Sequence, residues 1–387
     1  MNFEDYFNPV NIDITAPGYL SDNSILGNNI KIYSIGSEID DIEHYNIALF
    51  GVSEDRNSDN KGSSDAPGQI RNKLYKLYKF SKKIKIVDLG NFKTGRTIND
   101  TYYGIRDVIF ELLNNKVTPV IIGGTQNLTY ANYLAYKKLN KKINIVTVDS
   151  KIDFGNAKNE MNSNSYLGKI ILEKSKYLFN YTNIGHQIYF VNQEDIDLLD
   201  TFFFDSFRLG EIRTNIKEVE PILRDADIFS FDINAVKQSD APGHCSPSPN
   251  GFYGEEACQI AKYAGLSEKL SSFGIYEVNP NFDQNDMTSH LAAQIIWYFI
   301  DGFGQRIKEN PLTNSKDYKK FIVNLNNIDQ AIIFYKSLRS ERWWLEVPIL
   351  KPGNKQNKLI ACSYDDYMKA CNHEIPDRWL KTFQKIN

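Results

Sequence analysis

Long apolar runs are missing from this chain. The best, Ala292 to Ile300, falls far short of the roughly 18 residues a spanning helix needs, so membrane insertion is not expected. Cysteine is scarce: Cys245, Cys258, Cys362 and Cys371 include no CxxC pair and read as reduced thiols. No charge sign dominates either, since 45 Lys and Arg against 48 Asp and Glu leave −3, which offers no footprint for nucleic acid or an anionic membrane. The first residues, Met1 to Phe7, lack a basic and then apolar pattern, so no secretory leader is expected and the location implied is cytoplasmic. Internal repeats and low-complexity segments are absent as well.

What is present is a globular composition. Of 387 residues, 42% are hydrophobic and 24% charged, enough for one large domain with extensions or for two domains. Residues 1–45 mix acidic, Asn and Gly residues and read as an irregular extension. Apolar, β-branched runs follow at Asn46 to Gly51, Ile84 to Leu89, Thr118 to Gly123, Ile143 to Val148, Gln187 to Val191, Arg208 to Ile212, Ile228 to Asp232 and Gly274 to Val278. Helical patterns lie between several of them, at Tyr103 to Leu113, Tyr130 to Lys138, Val219 to Leu223 and Glu255 to Tyr263, and an apolar helix follows at Ser289 to Asp301. Strand alternating with helix predicts an α/β fold with a largely parallel sheet of eight strands, covered on both faces, over residues 46–309. Residues 310–387 change character and read as a folded appendage, with a helix at Tyr364 to Cys371.

The loop Val52 to Pro67 is long for a compact α/β unit, which suggests that it has a task. Three strand tips carry the chemistry. Thr125-Gln126, Asp149-Ser-Lys-Ile-Asp153 and Asp232-Ile-Asn234 end predicted strands, and Glu277 ends the last. Open α/β sheets keep their chemistry at such tips. Carboxylates two to four residues apart there can point into one crevice and suit Mn²⁺ or Mg²⁺. Capping of the following turns is the plainer explanation of each tip taken alone.

The series Gly51, Asn60-Lys-Gly62, Ala66-Pro-Gly-Gln-Ile-Arg71, Gly123-Gly-Thr-Gln-Asn127, Asp149-Ser-Lys-Ile-Asp153, Ser230-Phe-Asp-Ile-Asn234, Ala241-Pro-Gly243 and Glu277-Val-Asn-Pro280 resembles the ureohydrolase superfamily of arginase, agmatinase and formimidoylglutamase. It runs over about residues 46 to 305, and Ala241-Pro-Gly243 leans towards the formimidoylglutamase branch. The resemblance implies a three-layer α/β/α arginase-like fold, hydrolysis of guanidino or formimino groups by a hydroxide bridging two Mn²⁺, and self-association into trimers or hexamers.

Three of the six metal ligands implied by that resemblance are replaced. Gln126 and Lys151 stand where imidazoles are expected, and Asn234 where an aspartate is; Asp149, Asp153 and Asp232 remain. The family set carries −4 against the +4 of two Mn²⁺, whereas three aspartates and Lys151 carry −2, enough for at most one divalent cation. A protonated Lys has no lone pair, so Lys151 cannot ligate. The expectation is that its ammonium takes the place of one metal among Asp149, Asp153 and Asp232, while a weak mononuclear site could add the Gln126 and Asn234 carbonyls.

Two functions follow: a non-hydrolytic binding, regulatory or assembly component without the dinuclear centre, or a divergent hydrolase in which Asp149, Asp153 and Asp232 act on a guanidino or formimino C–N bond. Glu277 is retained where the resemblance places the cationic end of a substrate, so a guanidino, amine or formimino ligand is expected there. Asn162 to Ser165 lacks the substrate-side histidine expected in that segment. His44, His186, His290 and His373 fall at no ligand position. His244 lies in a loop near the crevice, a solvated loop histidine on the plainer reading and a ligand contact on the other. A Cys245–His244 nucleophile is disfavoured because sequence neighbours seldom face each other. Trp343 and Trp344 suit packing of the appendage, or else an anchor for a protein partner.

Overall fold

The computed structural model describes residues 1–11, 23–39, 41–155, 160–173, 176–313, 315–325, 331–350 and 357–387. Its centre is a sheet of eight parallel strands: β3 (Ile47–Val52), β4 (Ile86–Phe92), β5 (Thr118–Ile122), β6 (Ile143–Val148), β7 (Leu178–His186), β8 (Asp205–Arg208), β9 (Ile228–Asp232) and β10 (Ser272–Tyr276). Their spatial order is β4-β3-β5-β10-β9-β6-β7-β8, the eight-stranded arrangement expected from sequence. The first 45 residues are more than a covering: β1 (Phe7–Asn8) pairs antiparallel and β2 (Lys31–Ile32) parallel with β4, extending the sheet to ten strands.

Alternation along the strands feeds two cores. In β3, Ile47 and Leu49 face one side while Ala48 and Phe50 face the other, the period of two that a strand imposes. The first side is closed by α1 (Ala66–Leu74), α7 (Val219–Arg224), α8 (Gly254–Leu266) and α9 (Met287–Gly304), and the second by α2 (Ile98–Asn114), α3 (Leu128–Lys138) and α4 (Tyr166–Leu172). Helix α2 starts with a capping box: Asp100 N–H donates to Thr97 Oγ1 at 3.2 Å and Thr97 N–H to Asp100 Oδ2 at 2.8 Å. Helix α1 is tied to β4 by buried Arg71, whose guanidinium reaches Asp88 at 2.8 and 2.9 Å and the Gly90 carbonyl at 2.9 Å.

Two expected strands are displaced. The run Gln187 to Val191 is a short 3₁₀ turn, Ile188–Phe190, because the strand it was assigned to is spent by His186. The run Arg208 to Ile212 is the end of β8 followed by α6 (Leu209–Thr214). In both segments apolar residues sit at a strand end and then turn outward, so hydrophobicity alone overshoots the boundary. The remaining helix, α5 (Gln193–Thr201), separates β7 from β8.

Beyond residue 317 a second, antiparallel sheet forms from β11 (Tyr318–Val323), β12 (Ile332–Ser337), β13 (Trp343–Val347) and β14 (Lys358–Cys362), packed against α10 (Tyr364–Cys371) and α11 (Asp377–Ile386) around its own apolar core. Trp343 and Trp344 are buried. Arg224 of α7 fastens this unit: it donates to the carbonyls of Trp343 at 2.9 Å and Cys362 at 3.1 Å, and lies 4.4 Å from the Trp344 ring. Cys258 and Cys362 are buried free thiols, Cys245 and Cys371 exposed ones. Among the described residues no helix is long and apolar enough to cross a membrane.

Candidate functional site

Strand order makes the site. Strands β5, β10, β9 and β6 are consecutive in the sheet, so the residues after their carboxyl ends stand side by side: Gln126, then Glu277, then Asp232 and Asn234, then Asp149, Lys151 and Asp153. The register aligns Tyr276 with Asp232 and Val148 with Phe231, which brings the tips to one level. All of these side chains except Lys151, which is half-buried, are buried, as is His244.

Tight turns hold the tips in place. Gly123 and Gly124, at φ 75° and 73°, turn the chain out of β5, and a Cβ on Gly124 would stand 2.8 Å from the Val52 carbonyl oxygen. Glu277 adopts φ 66°, a left-handed backbone that a long side chain takes only where its surroundings compel it. The restraints are visible. Its N–H donates to the Gly124 carbonyl at 2.9 Å, its Oε1 accepts from Gln126 N–H at 2.9 Å, and Asn60 Nδ2 donates both to its carbonyl at 2.8 Å and to Oε2 at 3.1 Å. Asn60 comes from the long Val52 to Pro67 loop, and its own oxygen accepts from Asn279 Nδ2 at 2.8 Å and Cys245 N–H at 3.1 Å. The loop's task is therefore to brace Glu277. Asn60 was part of the resemblance but was not singled out as a site residue; its pairing with Glu277, 217 positions away, leaves no local signal.

Asp149 and Asp232 also accept from their own turns, from Lys151 N–H at 2.9 Å and Asn234 N–H at 2.7 Å. The capping explanation of these tips is thus correct for one oxygen of each. The other oxygens face the crevice. With the Gln126 amide turned so that both its ends find partners, its nitrogen donates to Asp149 Oδ2 at 2.9 Å and to Asp153 Oδ2 at 3.0 Å. The Asn234 side-chain oxygen and the Ser150 hydroxyl are buried with no protein partner.

Charge is crowded here. Burial, then the neighbouring Asp153, raises Asp149 well above the carboxylate range; burial, then Asp149 and Glu277, does the same to Asp232. Asp153 is pushed up to about 7, first by burial and also by Asp232, although a hydrogen bond with Asp149 works against the shift. Burial brings Glu277 to about 7 as well, against the opposing Gln126 N–H and Asn60. The Lys151 ammonium favours the ionised form of all four carboxyls, yet among the described residues it forms no ion pair within 4.0 Å; it acts across the crevice rather than in contact. Among the described residues no group of three His, Cys, Asp or Glu side chains is arranged to hold a metal ion.

His244 is not the solvated loop residue of the plainer reading. It is 8% exposed, its Nδ1 accepts from Ser246 N–H at 2.9 Å, and burial, helped by Lys151, lowers its pKa to about 4. Cys245 does not pair with it: burial first, then Glu277, raises the thiol. Ser163 joins the long Val52 to Pro67 loop, its N–H donating to the Asn57 carbonyl at 3.2 Å.

Comparison with known proteins agrees with this fold. The model of the arginase family matches residues 45–301. The formimidoylglutamase of Staphylococcus haemolyticus is 26% identical over 278 residues, 66% of this chain and 85% of the relative; that of Bacillus subtilis is 24% identical over 278 residues, 66% and 86%. Among solved structures, Trypanosoma cruzi formiminoglutamase with Mn²⁺ superposes with TM-score 0.67 at 20% identity, covering 74% of this chain and all of that one. Formimidoylglutamase from Bacillus subtilis gives 0.67 at 22%, covering 76% and 96%.

Proposed function

The chain belongs to the arginase family, and on that premise we propose that its crevice binds a small ligand without two-metal hydrolysis, the protein acting as a non-hydrolytic binding, regulatory or assembly component. The observation that carries this reading is the Gln126 amide, which spends its two N–H groups on Asp149 and Asp153, the carboxylates a metal would need. A donor in that position satisfies the oxygens instead of leaving their lone pairs open. Lys151 adds a positive charge across the crevice, and Asn234 offers a neutral oxygen in place of a charged one. The set does not fit a dinuclear centre, and no hydrolytic step is drawn through one.

Glu277 gives the ligand class. A buried carboxylate locked by Gln126 and Asn60 suits a guanidino, formimino or amine group, which would supply the countercharge that burial denies it. Self-association and a protein partner for the appendage belong to the same proposal, as does a cytoplasmic setting.

One observation favours a second reading. Four buried carboxyls against one ammonium leave the crevice short of positive charge, and one divalent cation on Asp149, Asp153, Asp232 and the free Asn234 oxygen would relieve it. Such a site would be a divergent mononuclear hydrolase. Metal analysis after dialysis against Mn²⁺, with ammonia, urea and formamide release measured over formimidoylglutamate, arginine, agmatine and guanidinobutyrate, separates the two. Ligand binding without turnover supports the first. Turnover abolished by Asp232→Ala overturns it.

A further inference from the structure

The appendage closes over the opposite end of the sheet from the crevice, and between the two lies a cavity of about 770 Å³. That is within the range of small-molecule pockets. Its lining joins β6, β7 and β8 and the α6–α7 region of the arginase-family domain to β14, α10 and α11 of the appendage. The family match stops at residue 301, so the part of this wall formed by Lys358 to Lys385 lies outside it.

Positive charge gathers at one end, around Phe179. The Lys358 ammonium sits 3.1 Å from the centre of its ring, and those of Lys142 and Lys385 lie 5.7 Å from it. Among the described residues none of these three lysines forms an ion pair within 4.0 Å. Lys385 donates to the neutral Asn180 oxygen. Most of the cavity's acids have other partners: Asp205 pairs with Lys381 at 3.0 Å, Asp366 with Arg378 at 2.8 Å, Glu218 with Arg378 at 3.6 Å and Asp377 with Lys369 at 3.5 Å, Asp365 accepts from Asn215 Nδ2 at 3.1 Å, and Glu211 alone has no ion pair or hydrogen bond among the described residues. Asp225, the one carboxylate that favours the charged form of Lys358, accepts Ala361 N–H at 2.9 Å and is outnumbered by Lys269, Lys385 and Lys142.

Converging ammonium groups repel one another and lose hydration, and a buried cation is tolerated when something pairs with it. One ring face cannot compensate three charges. Burial brings both Lys358 and Lys385 down to about 8, although Asp225 opposes the shift at Lys358 and Asp205 at Lys385. The cavity wall also includes the apolar Val146, Phe207, Ile222 and Leu359.

We propose that this cavity is a binding site for a small acid with one phosphate- or carboxylate-type head and a flat apolar body, the head held by Lys358 and Lys385 and the body lying against the apolar residues of the wall. Lys142, exposed and 5.7 Å from the Phe179 ring, adds to the positive field that draws the anion in. The site is separate from the crevice and does not depend on the function proposed for it.

Calorimetric titration of the full chain in EDTA at pH 7 tests this with 1-naphthyl phosphate and 1-naphthoate, against uncharged 1-naphthalenemethanol. At least one acid is expected to bind with a Kd below about 1 mM and the alcohol not to bind, and the stronger acid identifies the head. Each of Lys358→Gln and Lys385→Gln should weaken it about ten- to hundredfold, the loss of one charged hydrogen bond, while Lys320→Gln on the distant β11 leaves it unchanged. A readout on the unaltered protein accompanies this: the bound acid should protect Lys358 and Lys385 from reductive methylation, scored by peptide mass. Absence of binding by both acids at several millimolar, equal binding of the alcohol, or binding that survives in the double variant without protection of either lysine overturns the proposal.

Discussion

Asp153→Asn, compared with the unaltered protein in EDTA between pH 5 and 8, reads out the charge state of the crevice. In the folded chain the Asp153 carboxyl titrates near 7, against an ordinary 3.8. Between those values the folded protein keeps a proton that the unfolded chain has released. Stability from this group is therefore complete below about pH 4 and is lost as pH rises through 7. At about 1.4 kcal/mol per pH unit the whole difference is on the order of 4 kcal/mol, of which about 3 kcal/mol falls between pH 5 and 8. An amide cannot ionise, so the variant should gain about 3 kcal/mol relative to the parent across that interval. Asp149 and Asp232, raised for the same reason, will steepen the parent's own slope.

The assay should be hydrogen exchange of β6 amides, corrected for intrinsic pH dependence. Tryptophan fluorescence would mislead, since Trp343 and Trp379 report on the appendage core and Trp344 on its junction with α7. A parent whose β6 protection stays flat or rises from pH 5 to 8, or a variant that tracks the parent, refutes the idea that burial dominates this cluster. Repeating the series with millimolar Mn²⁺ bears on the second functional reading: a cation bound at Asp153 would hold its pKa down and flatten the slope.

Three further outcomes are expected. His244, lowered to about 4, is neutral in the fold, so its contribution is present above 6.5 and lost as pH falls towards 4; His244→Gln should flatten the acid limb of the unfolding curve by about 3 kcal/mol. Arg71→Met leaves Asp88 as an uncompensated buried charge and should cost about 3–5 kcal/mol, seen as a lowered urea midpoint, whereas Asp88→Asn in the same background should recover part of it. Arg224→Ala removes two hydrogen bonds and the contact with the Trp344 ring, so limited proteolysis should cut near residues 305–315 sooner while crevice ligand binding is kept.

How much of this was legible in the chain depended on distance along it. Six of the eight parallel strands were readable as short apolar runs, and β6 and β9 end where those runs end; β7 was missed and β8 was caught only at Arg208. Where an apolar run continues past a strand, as in Ile188-Tyr-Phe190 and Leu209 to Ile212, the boundary was misplaced, since exposure there is set by what packs above the segment. The tips themselves were readable as residue types. Their adjacency was expected only through the family resemblance, because β10 is inserted between β5 and β9 by the sheet order rather than the chain order. Asn60 as a brace on Glu277, the burial of His244 and the gathering of lysines about Phe179 all join residues far apart in sequence, and no local pattern announces them.

The crevice keeps structural costs that an idle scaffold would have little reason to keep. Glu277 holds a left-handed backbone worth about 1–3 kcal/mol of strain. Four carboxyls stay buried with one ammonium nearby, although hydrophobic replacements of similar volume would stabilise the fold. On the family resemblance, Gln126 and Lys151 stand where imidazoles are expected and Asn234 where an aspartate is, whereas Asp149, Asp153, Asp232 and Glu277 match the expected carboxylates. A pure structural relic would be expected to neutralise first the groups that cost most, and those are the buried acids. Their presence argues that the crevice meets a cationic partner, and Asn60, from the loop between β3 and α1, fixes the Glu277 carboxylate that would receive it.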